Sequence, residues 1–247
     1  MTAPVDVLAI AAHPDDAEVG CAGALLVSAA QGLRVAVVDL TRGEHSTLGT
    51  PERREEERRR ATEVLALSER RHLDLPDAAV GTAPGHRDAL VDLLRELRPR
   101  LLLAPHTEDR HPDHAAAGRL AREAAFLAGV GRLRAGRPHR PERIYHYAMH
   151  HPIEASFVLD ISAVWDRRME AMAAYESQFA PRADADGTEI AQEAFLEMIN
   201  ARARFYGSMV GVTYGEPYRC VGPLWSGALP GLERSRPERQ QPYRSFL

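Results

Sequence analysis

Three polar residues crowd the exit of an apolar run near the start of the chain: His13, Asp15 and Asp16 in "AAHPDDAEVG", directly after "VDVLAI". A second cluster, "HTEDRHPDH" (106–114), follows the apolar run "RLLLAP". Imidazole nitrogens and carboxylate oxygens are ligands of zinc, and a catalytic zinc keeps one position for water. His13 and Asp16 can turn inward from a strand-to-helix loop whose path Pro14 restricts, and His114 can complete the set. Asp15, beside the metal but pointing elsewhere, is then placed as a base for a water whose pKa the metal lowers to about 7. His111 can stabilise a tetrahedral oxyanion or protonate a leaving amine, with Asp113 orienting it and favouring its charged form.

The two clusters lie about 100 residues apart, so the elements between must bring them together. Short apolar runs alternate with helical patterns. "VDVLAIA" (5–11), "LRVAVVDLT" (33–41), "RRHLDL" (70–75) and "RLLLAP" (100–105) read as strands. Residues 16–32, 51–67 and 85–99 read as helices, the second with Thr50 as N-cap and Pro51 in its first turn. Continuous apolar strands separated by helices predict an α/β, Rossmann-like fold, with a mostly parallel sheet covered on both faces. Ligands in such sheets bind at the carboxyl ends of the strands, where both polar clusters fall. Further on, "RIYHYAM" and "SFVLDIS" read as strands, and residues 163–179 and 189–211 as helices.

The chain has 247 residues, of which 45% are hydrophobic, enough for one sizeable domain. A net charge of −4 points away from nucleic acid and anionic membranes as partners. The first residues lack a signal peptide's basic region, and their apolar run is too short to span a bilayer, so a cytoplasmic location is expected. Cys21 and Cys220 read as free thiols. The 31 basic residues are all arginine, which a G+C-rich genome produces. A Rossmann-like nucleotide-binding module is the reading from another class; "HPDDAEVG" stands where its G-x-G-x-x-G turn would be, and acids there repel a pyrophosphate. A non-catalytic metal scaffold leaves Asp15 without a use. His139, His146, His150 and His151 read as surface or packing residues, and His45, His72, His86 and His106 as structural.

"AAHPDDAEVGCAGAL" together with "EDRHPDHAAAGRLAREAAFLAG" resembles the zinc-dependent N-acetylglucosamine deacetylases of the LmbE/PIG-L type. "DLTRGEHSTLGTPERREEE", "LDLPDAAV", "AYESQF" and "FYGSMVGVTYGEPY" are similar to the branch that deacetylates N-acetylglucosaminyl malate in bacillithiol biosynthesis. The resemblance implies one deacetylase domain over 1–225, followed by an Arg/Pro-rich tail over 226–247. It implies His13, Asp16 and His114 as metal ligands, Asp15 as base, and His111 with Asp113 as its partner. The metal is zinc, one per chain, or iron in the cell. The resemblance also places Arg54 near the substrate and Tyr214 in the pocket. Without it, Arg54 is one of many charges on a solvated helix and Tyr214 a packing aromatic. A specific expectation follows, that Arg54 selects the acidic aglycone. The implied partner is a small N-acetylglucosamine conjugate, with a mycothiol precursor or a chitooligosaccharide as other substrates, and the implied assembly is a homo-oligomer, commonly a hexamer. His45 departs from the family's usual pattern.

Overall fold

The structure is a computed structural model that describes residues 3–180, 190 and 193–223. The tail over 226–247 lies outside the described residues. Seven strands form one sheet: β1 (Val7–Ala11), β2 (Val35–Asp39), β3 (Glu69–His72), β4 (Leu101–Pro105), β5 (Arg143–Tyr147), β6 (Phe157–Asp160) and β7 (Gly215–Cys220). Their order is β3-β2-β1-β4-β5-β7-β6. Only β7 runs against the others. The chain winds outward through β2 and β3, then returns to place β4 beside β1. That reversal opens a crevice between β1 and β4, and both polar clusters face it.

The helices are α1 (Asp16–Gly20), α2 (Ala22–Ala30), α3 (Pro51–Val64), α4 (Pro84–Leu97), α5 (Pro112–Ala128), α6 (Trp165–Ala173), α7 (Glu176–Phe179) and α8 (Glu193–Val210). Alternate residues of β1 feed two cores. Val7, Ala9 and Ala11 pack toward α1, α2, α6 and α8, whereas Leu8 and Ile10 pack with Leu90 and Leu94 of α4 and Leu120 and Ala121 of α5. Each Val, Leu or Ile among them contributes roughly 1.5–3 kcal/mol on full burial. Burial on both faces is why these strands read as unbroken apolar runs.

Three expectations need correction. The helix expected over 16–32 breaks at Cys21, whose φ of −145° is not helical. The helix expected over 163–179 is likewise two, interrupted before Tyr175 (φ −91°, ψ 62°). β7 has no counterpart among the expected strands. It carries Pro217, which has no N–H to donate, in a strand with neighbours on both sides. Its Glu216 explains the placement. The buried carboxylate accepts the Gly23 and Ala24 N–H groups at 3.0 and 2.8 Å. These open the first turn of α2, which has no side-chain cap of its own.

A buried ion cluster ties the site-bearing α1 to the sheet. Arg70 of β3 reaches Glu18 of α1 at 2.6 Å and Asp39 of β2 at 2.8 Å, with all three side chains almost fully enclosed. On the other side of the crevice, α5 lies tight against the end of β4. A Cβ added to Gly118 would stand 2.4 Å from the Pro105 carbonyl oxygen, so only glycine permits this approach.

Candidate active site

The loop from β1 into α1 delivers His13 and Asp16, and the first turn of α5 delivers His114. Asp16 sits between the two rings, with its Oδ2 3.5 Å from His13 Nδ1 and its Oδ1 3.1 Å from His114 Nε2. The opposite nitrogen of each ring is held by carboxylate. His13 Nε2 lies 3.1 Å from Asp77 and 3.4 Å from Asp113, and His114 Nδ1 lies 3.1 Å from Asp109. With a cation bound between them, those outer carboxylates would take the ring hydrogens and leave the nitrogens facing Asp16 free to ligate. Burial opposes charge on His13, but Asp113, Asp16 and Asp77 outweigh it and raise its pKa well above the usual imidazole range. Burial likewise opposes charge on His114, but Asp16 and Asp109 push it up to about 9. Burial disfavours the Asp16 carboxylate, yet His114 and His13 hold it well below the usual range.

Asp15 points away from this trio. It is buried, with a φ of 116° that a non-glycine residue seldom adopts. Burial pushes its carboxyl up to about 7, Arg54 pulls it down and Asp16 adds to the rise. A carboxylate poised there is suited to taking and returning a proton near neutral pH. Arg54 is 6% exposed, unlike the solvated neighbours on α3. Its guanidinium donates to the carbonyls of Pro14 and Gly43 and lies 3.3 Å from Asp15 Oδ2. The residue lines the cavity; its Nη groups bond Asp15 and the neighbouring loop, while its Nε is buried without a partner.

His111 caps α5: its Nδ1 accepts the Asp113 N–H at 3.2 Å. That fixes the hydrogen of a neutral ring on Nε2. Burial, with His114 and His13 nearby, lowers its pKa. His111 is thus presented as a neutral N–H donor, not as the imidazolium expected from its spacing to Asp113. The Asp113 carboxylate is turned elsewhere. It accepts the N–H groups of Ala78 and Val80 at 2.8 and 3.2 Å and reaches His13. Asp113 belongs to the support of the metal trio and does not orient His111 through its carboxylate.

Tyr214 does not join the cavity wall. It stacks on Trp165 at 4.1 Å between centroids, and its hydroxyl accepts from Arg204. Three residues not singled out from the sequence do join the site. Asp77 follows β3 and also accepts the His45 N–H, at 2.9 Å. Asp109 accepts from the backbone of His111 and His150 and contacts both His114 and His150. His150, expected as a packing residue, lines the cavity. Asp77 and Asp109 stand inside the stretches "LDLPDAAV" and "HTEDRHPDH", but nothing in their spacing distinguishes them; His150 carries no local signal at all.

The cavity measures about 530 Å³. His13, Asp16 and His114 form its floor, Val19, Phe179 and Phe195 give it an apolar flank, and Arg110 and His45 stand at its mouth. The donor set fits a divalent ion. Ligands about 2.05 Å from a tetrahedral zinc lie roughly 3.3 Å apart, and the 3.1 and 3.5 Å separations about Asp16 bracket that value. Ring nitrogens of His13, His111 and His114 also fall within 4.8 Å of one another. Five carboxylates, Asp15, Asp16, Asp77, Asp109 and Asp113, gather around these rings and give the cavity floor a strongly anionic lining.

Comparison with known proteins agrees with this geometry. The family model for PIG-L, GlcNAc-PI de-N-acetylase, matches residues 8–125, which include both polar clusters. The diacetylchitobiose deacetylase of Thermococcus kodakarensis is 31% identical over 234 residues, covering 87% of this chain and 82% of that protein. A conserved protein of Thermus thermophilus has a crystal structure that is 41% identical, with a TM-score of 0.83, covering 94% of this chain and all of that one. The 4-oxalmesaconate hydratase of Pseudomonas putida is 27% identical over 187 residues, covering 67% of this chain and 70% of that protein. The chain belongs to the PIG-L, or LmbE-like, deacetylase family.

Proposed function

We propose that the protein is a zinc-dependent hydrolase that removes the acetyl group from an N-acetylglucosamine conjugate, most closely N-acetylglucosaminyl malate. The observation that carries this reading is the division of labour around Asp16. The Asp16 carboxylate lies between two imidazoles, 3.5 Å from His13 and 3.1 Å from His114, while its neighbour Asp15 is paired with Arg54 instead.

His13, Asp16 and His114 would hold the metal, which when bound polarises an acetamide carbonyl and lowers the pKa of a water. Asp15 accepts the proton of the attacking water. His111 donates its Nε2–H to the acetamide oxygen as negative charge develops there, a contribution of about 10²–10³ in rate for one such donor. Asp15 then returns the proton to the amide nitrogen, the C–N bond breaks, and acetate and a free amine leave. Asp77, Asp113 and Asp109 keep His13 and His114 in their ligating tautomers throughout.

An acidic aglycone is supported by Arg110 at the cavity mouth, since arginine pairs well with carboxylates. A neutral disaccharide is the second reading, supported by the likeness to a diacetylchitobiose deacetylase. We also propose a cytoplasmic homo-oligomer, hexameric as the family resemblance implies, with the exposed Phe205, Met209 and Val210 of α8 on the contact surface. Among the described residues no helix is long and apolar enough to cross a membrane.

The test is acetate release from N-acetylglucosaminyl malate, diacetylchitobiose and N-acetylglucosamine, with and without added zinc. Zinc-dependent release with the highest kcat/KM on the malate conjugate is expected. A preference for diacetylchitobiose would replace the substrate. No release from any of them would overturn the deacetylase reading and direct attention to hydration of an unsaturated acid.

A further inference from the structure

His150 is the most rigidly held polar group in the cavity that the proposed chemistry does not use. Its backbone N–H and its Nδ1 both bond to Asp109, at 2.9 and 2.8 Å. Its ring stacks parallel on the metal ligand His114, with centroids 5.1 Å apart and an interplanar angle of 8°. The Asp109 side chain is only 2% exposed. It also accepts the His111 backbone N–H and contacts His114 Nδ1, so one buried carboxylate sets the His114 and His150 rings together. Fixing a polar ring in a cavity wall through both its backbone and its side chain is the arrangement expected of a ligand-binding group held ready.

With Nδ1 on Asp109, only Nε2 remains to meet a ligand. We propose that His150 is a substrate-binding residue whose Nε2 engages a ring hydroxyl of the hexosamine, in a position set by Asp109. A hydroxyl can both donate and accept, so the contact suits either protonation state of the ring. The distance is appropriate. The His150 ring lies 5.1 Å from that of His114 and both line the cavity, so a hexosamine whose acetamide sits at His13, Asp16 and His114 is within reach of it. Val19, Phe179 and Phe195 give the same cavity an apolar surface against which a sugar ring can pack.

The inference rests on the deacetylase reading, and its test separates the two. Wild type, His150→Ala and the conservative His150→Gln are assayed for acetate release on methyl N-acetylglucosaminide and on its 3-, 4- and 6-deoxy analogues. Zinc content is measured alongside. His150→Ala should keep its zinc and raise KM about 3- to 15-fold on the parent, the range of one hydrogen bond, with kcat nearly unchanged. On one deoxy analogue, and only that one, the substitution should cost nothing further. His150→Gln, which keeps a polar terminus, should recover part of the loss. In the metal-free chain, nitrogen-15 shifts should show the His150 hydrogen on Nδ1, and glucosamine should move the Nε2 signal. Equal losses on every analogue, or lost zinc with KM unchanged, would overturn the proposal and reduce His150 to a support for His114. Wild-type enzyme that releases acetate from none of these compounds would overturn the deacetylase reading, and this inference with it.

Discussion

Asp113 stands two residues from His111, yet its carboxylate turns away, bonding the Ala78 and Val80 N–H groups and reaching His13 Nε2 at 3.4 Å. Only its backbone N–H meets the His111 ring. The two side chains therefore have separate partners: the Asp113 carboxylate supports His13, while the His111 ring faces the cavity. Asp113→Asn should weaken zinc binding by about 10- to 100-fold, the usual cost of losing an outer carboxylate on a ligating histidine. His111→Ala should keep the metal and lower kcat by about 10²–10³. Competitive chelation and steady-state kinetics check both. Matching kinetics with unchanged zinc affinity in the two variants would restore a paired His111–Asp113 unit.

Arg54 tests whether an arginine in the site reads the substrate or steadies the base. Its guanidinium bonds the Pro14 and Gly43 carbonyls beside Asp15. Arg54→Ala should therefore lose kcat/KM to a similar extent on N-acetylglucosaminyl malate and on N-acetylglucosamine. Arg110→Ala should lose more on the malate conjugate, by roughly 10-fold or above if the contact is charge-assisted. A selective loss in Arg54→Ala instead would return the aglycone to Arg54.

Gly118 sits one turn after His114 on α5, against the Pro105 carbonyl. Alanine is the better helix former, by up to about 1 kcal/mol. Here its methyl meets fixed backbone, and overpacking of this kind costs about 1–3 kcal/mol. Gly118→Ala should lower the melting temperature and, by tilting α5, weaken zinc binding. A variant as stable as wild type would show that the helix can shift without cost.

His146 supplies a pH-dependent term away from the metal trio. It is 3% exposed, donates from Nδ1 to the Pro105 carbonyl, and its Nε2 is buried without a partner. Burial lowers its pKa to about 4, and His106 and Arg122 add to the effect despite the Pro105 bond. Its folded pKa lies below the unfolded value near 6.5, so the unfolded chain binds more protons between these limits. Stability from this group is full above about pH 6.5 and falls as pH drops toward 4, by at most about 3 kcal/mol. Urea unfolding at pH 4.5 and 7.5 should show a smaller acid loss in His146→Gln than in wild type. Equal losses would remove His146 from the acid response.

Much of this architecture was legible in the sequence because its signals are local. β1, β2 and β4 are buried on both faces and read as unbroken apolar runs, and Thr50–Pro51 marks the start of α3, where the Thr50 side chain accepts the Arg53 N–H. The meeting of His13, Asp16 and His114 was legible because two His/Asp clusters end two such strands. β7 was hidden because Gly215, Glu216 and Pro217 are poor strand formers, and the strand is held by its own buried Glu216 carboxylate, which accepts N–H groups of a distant helix. Asp77, Asp109 and His150 were hidden for a related reason: their roles exist only once the loops after β3, β4 and β5 converge. Asp113 and Tyr214 depart from expectation in the direction of the side chain, which spacing along a chain does not determine.

The most direct test of the account compares Asp15→Asn with wild type, measuring zinc per chain and acetate released from the best glucosaminide in the same preparations. Asp15 lies beside the ligand trio but outside it, so the variant should hold one zinc per chain and turn over about 10²- to 10⁴-fold more slowly. Near-wild-type turnover, or loss of the zinc together with the activity, would contradict the assignment of Asp15 as the base.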